Sequence, residues 1–377
     1  MKFLSRLLGD TRQSTSHTTP TPREHIERAL GAAGLDPAND PGGIRATIDR
    51  AFANAGLQPR AAPVPPVAPG AARVAVANEA SAATSPAAGG RFLSATYANA
   101  HGRRDYRLYI PADYDTDRTP RPLVLMLHGC TQTAEDFAAG TRMNRLADRH
   151  GFLVAYPQQL GKANHAKCWN WFRPEDQRGD TGEPSVLAGI AGQVAQDHRV
   201  DAERIFVAGL SAGAAMAVIL GRTHPDLVRA IGVHSGLPYA SAKDVPSAFA
   251  TMQNGQKGDA TPMRGVAPGE AGVPLILFHG DQDRTVALPN AEAIAADALH
   301  PPLSTRVETG RVPGGHAYTR QVSVDESGLP WLEQWTVHGA GHAWSGGDPA
   351  GSYTDPAGPD ASAEMVDFFL RQGPRQG

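Results

Sequence analysis

Between the β-branched run Ile205-Phe206-Val207 and a helix-forming run that opens at Ala212 lies Gly209-Leu210-Ser211-Ala212-Gly213, a G-x-S-x-G pentapeptide. A serine hydroxyl is a weak nucleophile until a base takes its proton, and its attack on a carbonyl creates an oxyanion that needs donors. A strand that turns abruptly into a helix answers both needs. It lifts the hydroxyl above the edge of the sheet, and the turn is tight enough that the residues two positions either side must be glycine. The helix start behind the serine offers unpaired N–H groups and the positive end of the helix dipole. With 41 glycines in the chain, a serine can be flanked by two of them through chance. The pattern carries weight here because it occurs once, with a strand before it and a helix after it.

The elements that must position its partners follow from alternation along the chain. Residues 92–97 and 104–110 are strand-like, and 123–128 is a continuous apolar run of the kind covered on both faces of a sheet. The pattern predicts a helix over 134–149, a strand over 152–156, a helix over 184–198, the strand before Ser211, a helix over 212–223 and a strand over 228–234. Later come a strand over 274–279, a helix over 289–299, a strand over 332–338 and a helix over 361–371. Strands and helices in alternation make an α/β fold, a mainly parallel twisted sheet with helices on both faces. In such a sheet the chemistry gathers at the carboxyl ends of the strands.

Two of those ends carry the missing groups. His279-Gly280-Asp281-Gln282-Asp283 follows one strand and Gly339-Ala340-Gly341-His342 follows another. The order serine, acid, histidine is that of the α/β-hydrolase triad. Asp281 and Asp283 both stand available as the acid, with Asp281 the better suited to a turn-former bonded to local backbone. Of the 14 histidines, His342 sits on a glycine-flanked loop that can carry it over the serine. His338 falls within its strand, where an imidazole paired to backbone is expected. His128 and His279 precede glycines at strand ends and read as structural, and His234, at the end of the strand after the nucleophile helix, is expected to line the site.

An oxyanion hole would use the Ala212 N–H and one from the loop after 123–128, where Cys130 follows His128-Gly129. Cys168 follows the next strand along. If the two strands are neighbours, a Cys130–Cys168 disulfide pins that loop; otherwise the chain keeps two buried thiols. Trp169, Trp171, Phe172 and Trp344 are candidates for an apolar substrate pocket, with ordinary core packing as the alternative. No spacing of His, Cys and carboxylates matches a metal site, and no cofactor is expected.

The 377 residues carry 35 basic against 38 acidic side chains, a net charge of −3, in no long like-charged block. Neither nucleic acid nor an anionic membrane is expected as a partner. No apolar run approaches the roughly 20 residues that span a bilayer. Met1 to Leu8 has a basic start at Lys2, but Arg6 interrupts its apolar run, and no signal peptide is read there. Residues 1–58 are expected to be an N-terminal extension with two short amphipathic helices, near 24–35 and 46–57. An Ala/Pro/Gly-rich linker over 59–90 precedes a catalytic domain over 91–374. Ser241 to Gly272, polar and without periodicity, reads as a lid or an inserted loop.

Leu127-His128-Gly129-Cys130-Thr131-Gln132, Cys168-Trp169-Asn170-Trp171-Phe172, the serine pentapeptide, Phe278 to Val286 and Gly341-His342-Ala343-Trp344-Ser345-Gly346-Gly347 together resemble the polyhydroxybutyrate depolymerase family of α/β-hydrolase esterases. That family also holds feruloyl and acetylxylan esterases. The resemblance runs from about Arg91 to Leu370. It implies Ser211 as nucleophile, Asp283 as acid, His342 as base and the Cys130 N–H in the oxyanion hole. It implies an acyl-enzyme mechanism on poly(3-hydroxybutyrate) or its oligomers, with feruloyl or acetylxylan esters as the alternative. It also implies an extracellular location, against which the missing signal peptide sets a cytoplasmic one. Secreted members typically add a polymer-binding domain, which is not read here, so short or soluble esters are favoured. Two other classes remain open: a non-catalytic polymer-granule-binding protein that uses the N-terminal helices, and a serine peptidase of the same fold.

Overall fold

The apolar runs become the centre of one sheet. In the computed structural model, which describes residues 90–255, 272–298 and 304–373, the strands are β1 (Arg91–Asn99), β2 (Gly102–Ile110), β3 (Arg121–Leu127), β4 (Leu153–Pro157), β5 (Val200–Leu210), β6 (Ala230–His234), β7 (Leu275–Gly280), β8 (Ser304–Arg311), β9 (Ala317–Val324) and β10 (Pro330–His338). Their order is β1-β2-β4-β3-β5-β6-β7-β10-β9-β8. The run β4-β3-β5-β6-β7-β10 is parallel, and the flanking pairs at both edges are antiparallel. Parallel neighbours need long crossovers. These are supplied by α1 (Ala134–Thr141), α2 (Met143–His150), α3 (Gly182–Asp197), α4 (Ala212–Thr223), α5 (Val245–Asn254) and α6 (Pro289–Ala298), with α7 (Ala361–Arg371) closing the fold.

The two faces of the central strands bury separate layers. Leu123, Leu125, Leu127, Ile205 and Val207 pack with Leu187, Ile190, Met216 and Leu220 of α3 and α4. Their strand neighbours Val124, Met126, Phe206 and Ala208 pack with Phe137, Leu146, Met365 and Phe369 of α1, α2 and α7. Side chains that alternate along a strand, each finding an apolar layer, explain why these runs are apolar at every position.

The structure differs from the sequence reading in three places. The helix expected over 134–149 is two helices, because Arg142 adopts φ 55, ψ 20 and ends α1; its guanidinium is held by the Gly346 carbonyl and Asp360. α5 stands where a lid or loop was expected. The polar residues there form its cap, with Asp244 accepting the Ser247 N–H and Ser247 Oγ accepting the Asp244 N–H. β8 and β9 were not expected at all. Seven of the eight residues of β8 are exposed, so no apolar alternation marks it, and its pairing with β9 defines it. The expected N-terminal helices, the linker over 59–90 save its last residue, and residues 256–271 lie outside the described residues.

Candidate active site

β5 runs straight into α4 with Ser211 at the junction, at φ 57 and ψ −119. A non-glycine residue held in such a conformation costs of order 1–3 kcal/mol, which the surroundings must over-determine. The Ser211 N–H donates to the His234 carbonyl at 2.9 Å, locking the turn to the end of β6. The two glycines answer to close backbone approach. A Cβ on Gly213 would collide with the Leu127 carbonyl oxygen of β3, and one on Gly209 with the backbone of Gly213.

Asp283 and His342 lie together at the ends of β7 and β10. Asp283 Oδ1 accepts the N–H groups of Thr285 and Val286, each at 2.9 Å, and Oδ2 accepts from His342 Nδ1 at 2.7 Å. Burial pushes the Asp283 carboxyl up. The His342 hydrogen bond and charge, His279 and the Val286 N–H outweigh that, so its pKa falls below the ordinary carboxylate value. An ionised carboxylate only accepts, which puts the His342 proton on Nδ1 and leaves the Nε2 lone pair for chemistry.

Asp281 bonds across to the next strand instead of within its own turn. Its Oδ1 accepts the Gly339 N–H at 2.7 Å and its Oδ2 pairs with His338 Nδ1 at 2.9 Å. His338 is therefore no inward imidazole paired to backbone. It stands at the end of β10 with its side chain 43% exposed, and Thr319 Oγ1 meets its other nitrogen at 2.9 Å. Together Asp281 and Gly339 brace the loop that carries His342.

The other three histidines at the strand ends, His128, His279 and His234, are buried supports. His128 Nδ1–H donates to the Gly129 carbonyl at 2.7 Å and Nε2 accepts the Gln159 N–H at 3.1 Å; burial pushes its pKa down to about 4. His279 Nε2–H donates to the Val286 carbonyl at 2.7 Å, 3.6 Å from Asp283 Oδ2. His234 was expected to line the site and is instead enclosed. Its Nε2 accepts the Ser345 N–H at 2.9 Å, its ring stacks on Phe278 and Trp344, and burial pushes its pKa down to about 3. It ties Ser211, through its carbonyl, to the segment that follows His342.

β3 and β4 are parallel neighbours, and Cys130 and Cys168 form a disulfide. A second tie runs beside it, from the Thr131 N–H to the Ala166 carbonyl at 2.6 Å. Among the described residues no acceptor takes the N–H of Cys130 or of Ala212.

The aromatic candidates divide. Trp169 is fully buried, with Nε1–H on the His128 carbonyl at 3.1 Å. Trp344 is buried too, with Nε1–H on Ser362 Oγ at 3.0 Å and the Phe137 ring perpendicular to it. Both are core residues that hold the site's loops, and neither is a pocket wall. Trp171 is buried as well, whereas Phe172, set edge-on against it, is partly exposed. The sequence reading missed Gln132, Thr131 and Tyr353. The last two have left-handed backbones, φ 68 and 52, and their hydroxyls meet at 3.3 Å beside Cys130. Positive φ at a non-glycine residue leaves no mark in composition or periodicity. Among the described residues no cluster of His, Cys, Asp and Glu is arranged for a metal ion, and no helix is long and apolar enough to cross a membrane.

Residues 104–307, more than half of the chain, match the family model described as esterase PHB depolymerase. The poly(3-hydroxyalkanoate) depolymerase C of Paucimonas lemoignei is 34% identical over 230 residues, 59% of this chain and 54% of that protein. The poly(3-hydroxybutyrate) depolymerase of Ralstonia pickettii is 29% identical over 290 residues, 71% of this chain and 58% of that protein. The feruloyl esterase B of Neurospora crassa is 29% identical over 190 residues, 47% of this chain and 63% of that protein. The chain thus spans a little over half the length of these curated relatives. Among solved structures, an acetyl xylan esterase from Aspergillus awamori shares the fold with a TM-score of 0.55 at 18% identity, over 71% of this chain and 94% of that one. A serine at a strand-to-helix elbow, a histidine held by a carboxylate on later strand ends, and a match over most of the sheet lead to one conclusion: this chain belongs to the esterase PHB depolymerase family of α/β-hydrolases.

Proposed function

We propose that the chain is a carboxylic ester hydrolase in which Ser211 is the nucleophile, His342 the base and Asp283 the acid that orients it. The observation that carries this reading is the 2.7 Å bond from His342 Nδ1–H to a buried, ionised Asp283 on the same sheet edge as the Ser211 elbow. His342 Nε2 takes the Ser211 proton as Oγ bonds to the ester carbonyl carbon. The N–H groups of Cys130 and Ala212 receive the oxyanion, and the alcohol leaves with the proton from His342. Water then gives a proton to the same nitrogen and attacks the acyl carbon, and Ser211 Oγ leaves with that proton as the acid is released.

Esters of 3-hydroxyalkanoates, as polymer or oligomer, are the substrate class favoured by the 34% identical relative named poly(3-hydroxyalkanoate) depolymerase C. Relatives named feruloyl esterase B and acetylxylan esterase A, at 27–29% identity, favour a second reading, feruloyl or acetyl esters of xylan. The disulfide suits an oxidising, extracytoplasmic compartment. The test is parallel hydrolysis of p-nitrophenyl esters, 3-hydroxybutyrate oligomers, methyl ferulate and acetylated xylan by wild type and Ser211→Ala. Ser211→Ala is expected to lose on the order of 10⁴ to 10⁶ in kcat. Equal rates for the two proteins would sink the mechanism, and the preferred natural ester separates the two substrate readings.

A further inference from the structure

We propose that Gln132 is the positioning residue of the oxyanion hole: its buried amide aims the Cys130 N–H and locks that loop to the one carrying His342. This rests on the esterase reading above. A donor that stabilises a transition state must point at the oxyanion's position before the reaction begins, because reorienting it during the reaction would return most of the gain. The Cys130 N–H belongs to the Gly129–Cys130 peptide, and a planar peptide whose carbonyl is held has its N–H direction held too. That carbonyl accepts from His128 Nδ1 at 2.7 Å and from the Gln132 N–H at 3.4 Å. The preceding peptide is held at both ends as well. Its N–H, on Gly129, donates to Gln132 Oε1 at 2.9 Å, and its carbonyl, on His128, accepts Trp169 Nε1–H at 3.1 Å. Gln132 touches both planes, the first through its side-chain amide, which steers the second through Gly129, and the second through its own backbone N–H.

Its other end explains why a glutamine is needed. Nε2 donates to Asp136 Oδ2 at 2.9 Å and to the Ser352 carbonyl at 3.1 Å, and Asp136 in turn accepts the Ser352 N–H at 2.9 Å. Acceptors on one side and an N–H on the other fix which way round the amide sits. Tyr353, next in the chain, accepts the Trp344 N–H at 2.7 Å, two residues beyond His342. Gln132 is 2% exposed, so water has little access to the bonds its amide makes. The side chain touches neither Ser211 nor a reacting atom and acts through the backbone it holds.

Gln132→Met keeps the length and volume and removes every side-chain bond. It is expected to lower kcat on a p-nitrophenyl ester by about 100-fold, as deletion of an oxyanion donor does, with KM changed by less than about threefold. Affinity for an aryl boronic acid, a mimic of the tetrahedral adduct, should fall in step with kcat, whereas a merely structural brace would lower the melting temperature and leave that affinity alone. A folded Gln132→Met with wild-type kcat and boronate affinity overturns the proposal. If that variant does not fold, Asp136→Asn, which weakens the amide's anchor, must show the same split between kcat and KM, and its absence overturns the proposal equally. Ser211→Ala in the same assays separates the two readings: if it stays active, the esterase mechanism has failed, whatever Gln132 does.

Discussion

Asp281 and Asp283 sit two positions apart in one turn and have different partners because their carboxylates leave that turn on different sides. Asp283 is enclosed and aimed at His342; Asp281 braces Gly339 and His338 at the surface. Asp283→Asn puts a group that can both donate and accept against His342 Nδ1 and no longer selects the tautomer with Nε2 free. It is expected to lower kcat by about 10⁴ with little change in KM. Asp281→Asn retains an acceptor for the Gly339 N–H and should cost less than about tenfold, since exposed polar pairs contribute little. Steady-state kinetics on one chromogenic ester checks both. A larger loss from Asp281→Asn would move the acid role to that residue.

The loops after β3 and β4 work as one element. The Cys130–Cys168 bond, the Thr131 N–H to Ala166, and Trp169 on the His128 carbonyl join them. Behind them Glu183 of α3 accepts from Arg104, from Gln159 and from the backbone and side chain of Asn170. The disulfide spans 38 residues. A cross-link of that loop length restricts the unfolded chain by about 4 kcal/mol in the chain-entropy account. The double variant Cys130→Ser/Cys168→Ser should therefore unfold at a lower urea midpoint, with a loss of about that size, and reduced wild type should shift the same way. A midpoint unmoved by reduction would mean that the backbone ties alone define the loop.

Across the whole molecule, the buried titratable groups set how stability follows pH. His128 and His234 have folded pKa values of about 4 and about 3 against 6.5 for the free side chain, because burial disfavours their charged forms. Between those values and 6.5 the unfolded chain binds two more protons than the native one. Their contribution is therefore complete above 6.5 and is lost as pH falls. Asp176 works in the opposite direction. Burial, then the charge of Glu183, raises it from 3.8 to about 7, so the native state holds one extra proton over that range. Burial lowers His279, His224 and His198 in the same sense as His128, so unfolding near pH 5 takes up protons and stability should rise with pH there. Asp176→Asn removes the opposing group, and the slope should steepen by about 1.4 kcal/mol per unit. Urea unfolding from pH 4.5 to 6.5 measures both slopes, and flat or falling stability with rising pH in wild type would contradict them.

Features that depend on contiguous backbone were legible in the amino-acid order alone. The elbow is one, because Gly209, Ser211 and Gly213 must satisfy sterics within five residues. The alternation of apolar runs with amphipathic helices is another, because each element's period is written along itself, and with it came the α/β fold and the family. Other features arise only when distant segments come into register. The pairing of β7 with β10 decides which of two neighbouring carboxylates meets His342, and the packing of the two core layers encloses Trp169, Trp344 and His234. β8 has almost no buried face, so nothing in its own residues announces it. Gln132 meets Ser352 across 220 positions. A contact between polar residues that far apart has no local period to betray it, and the tertiary structure alone could decide it.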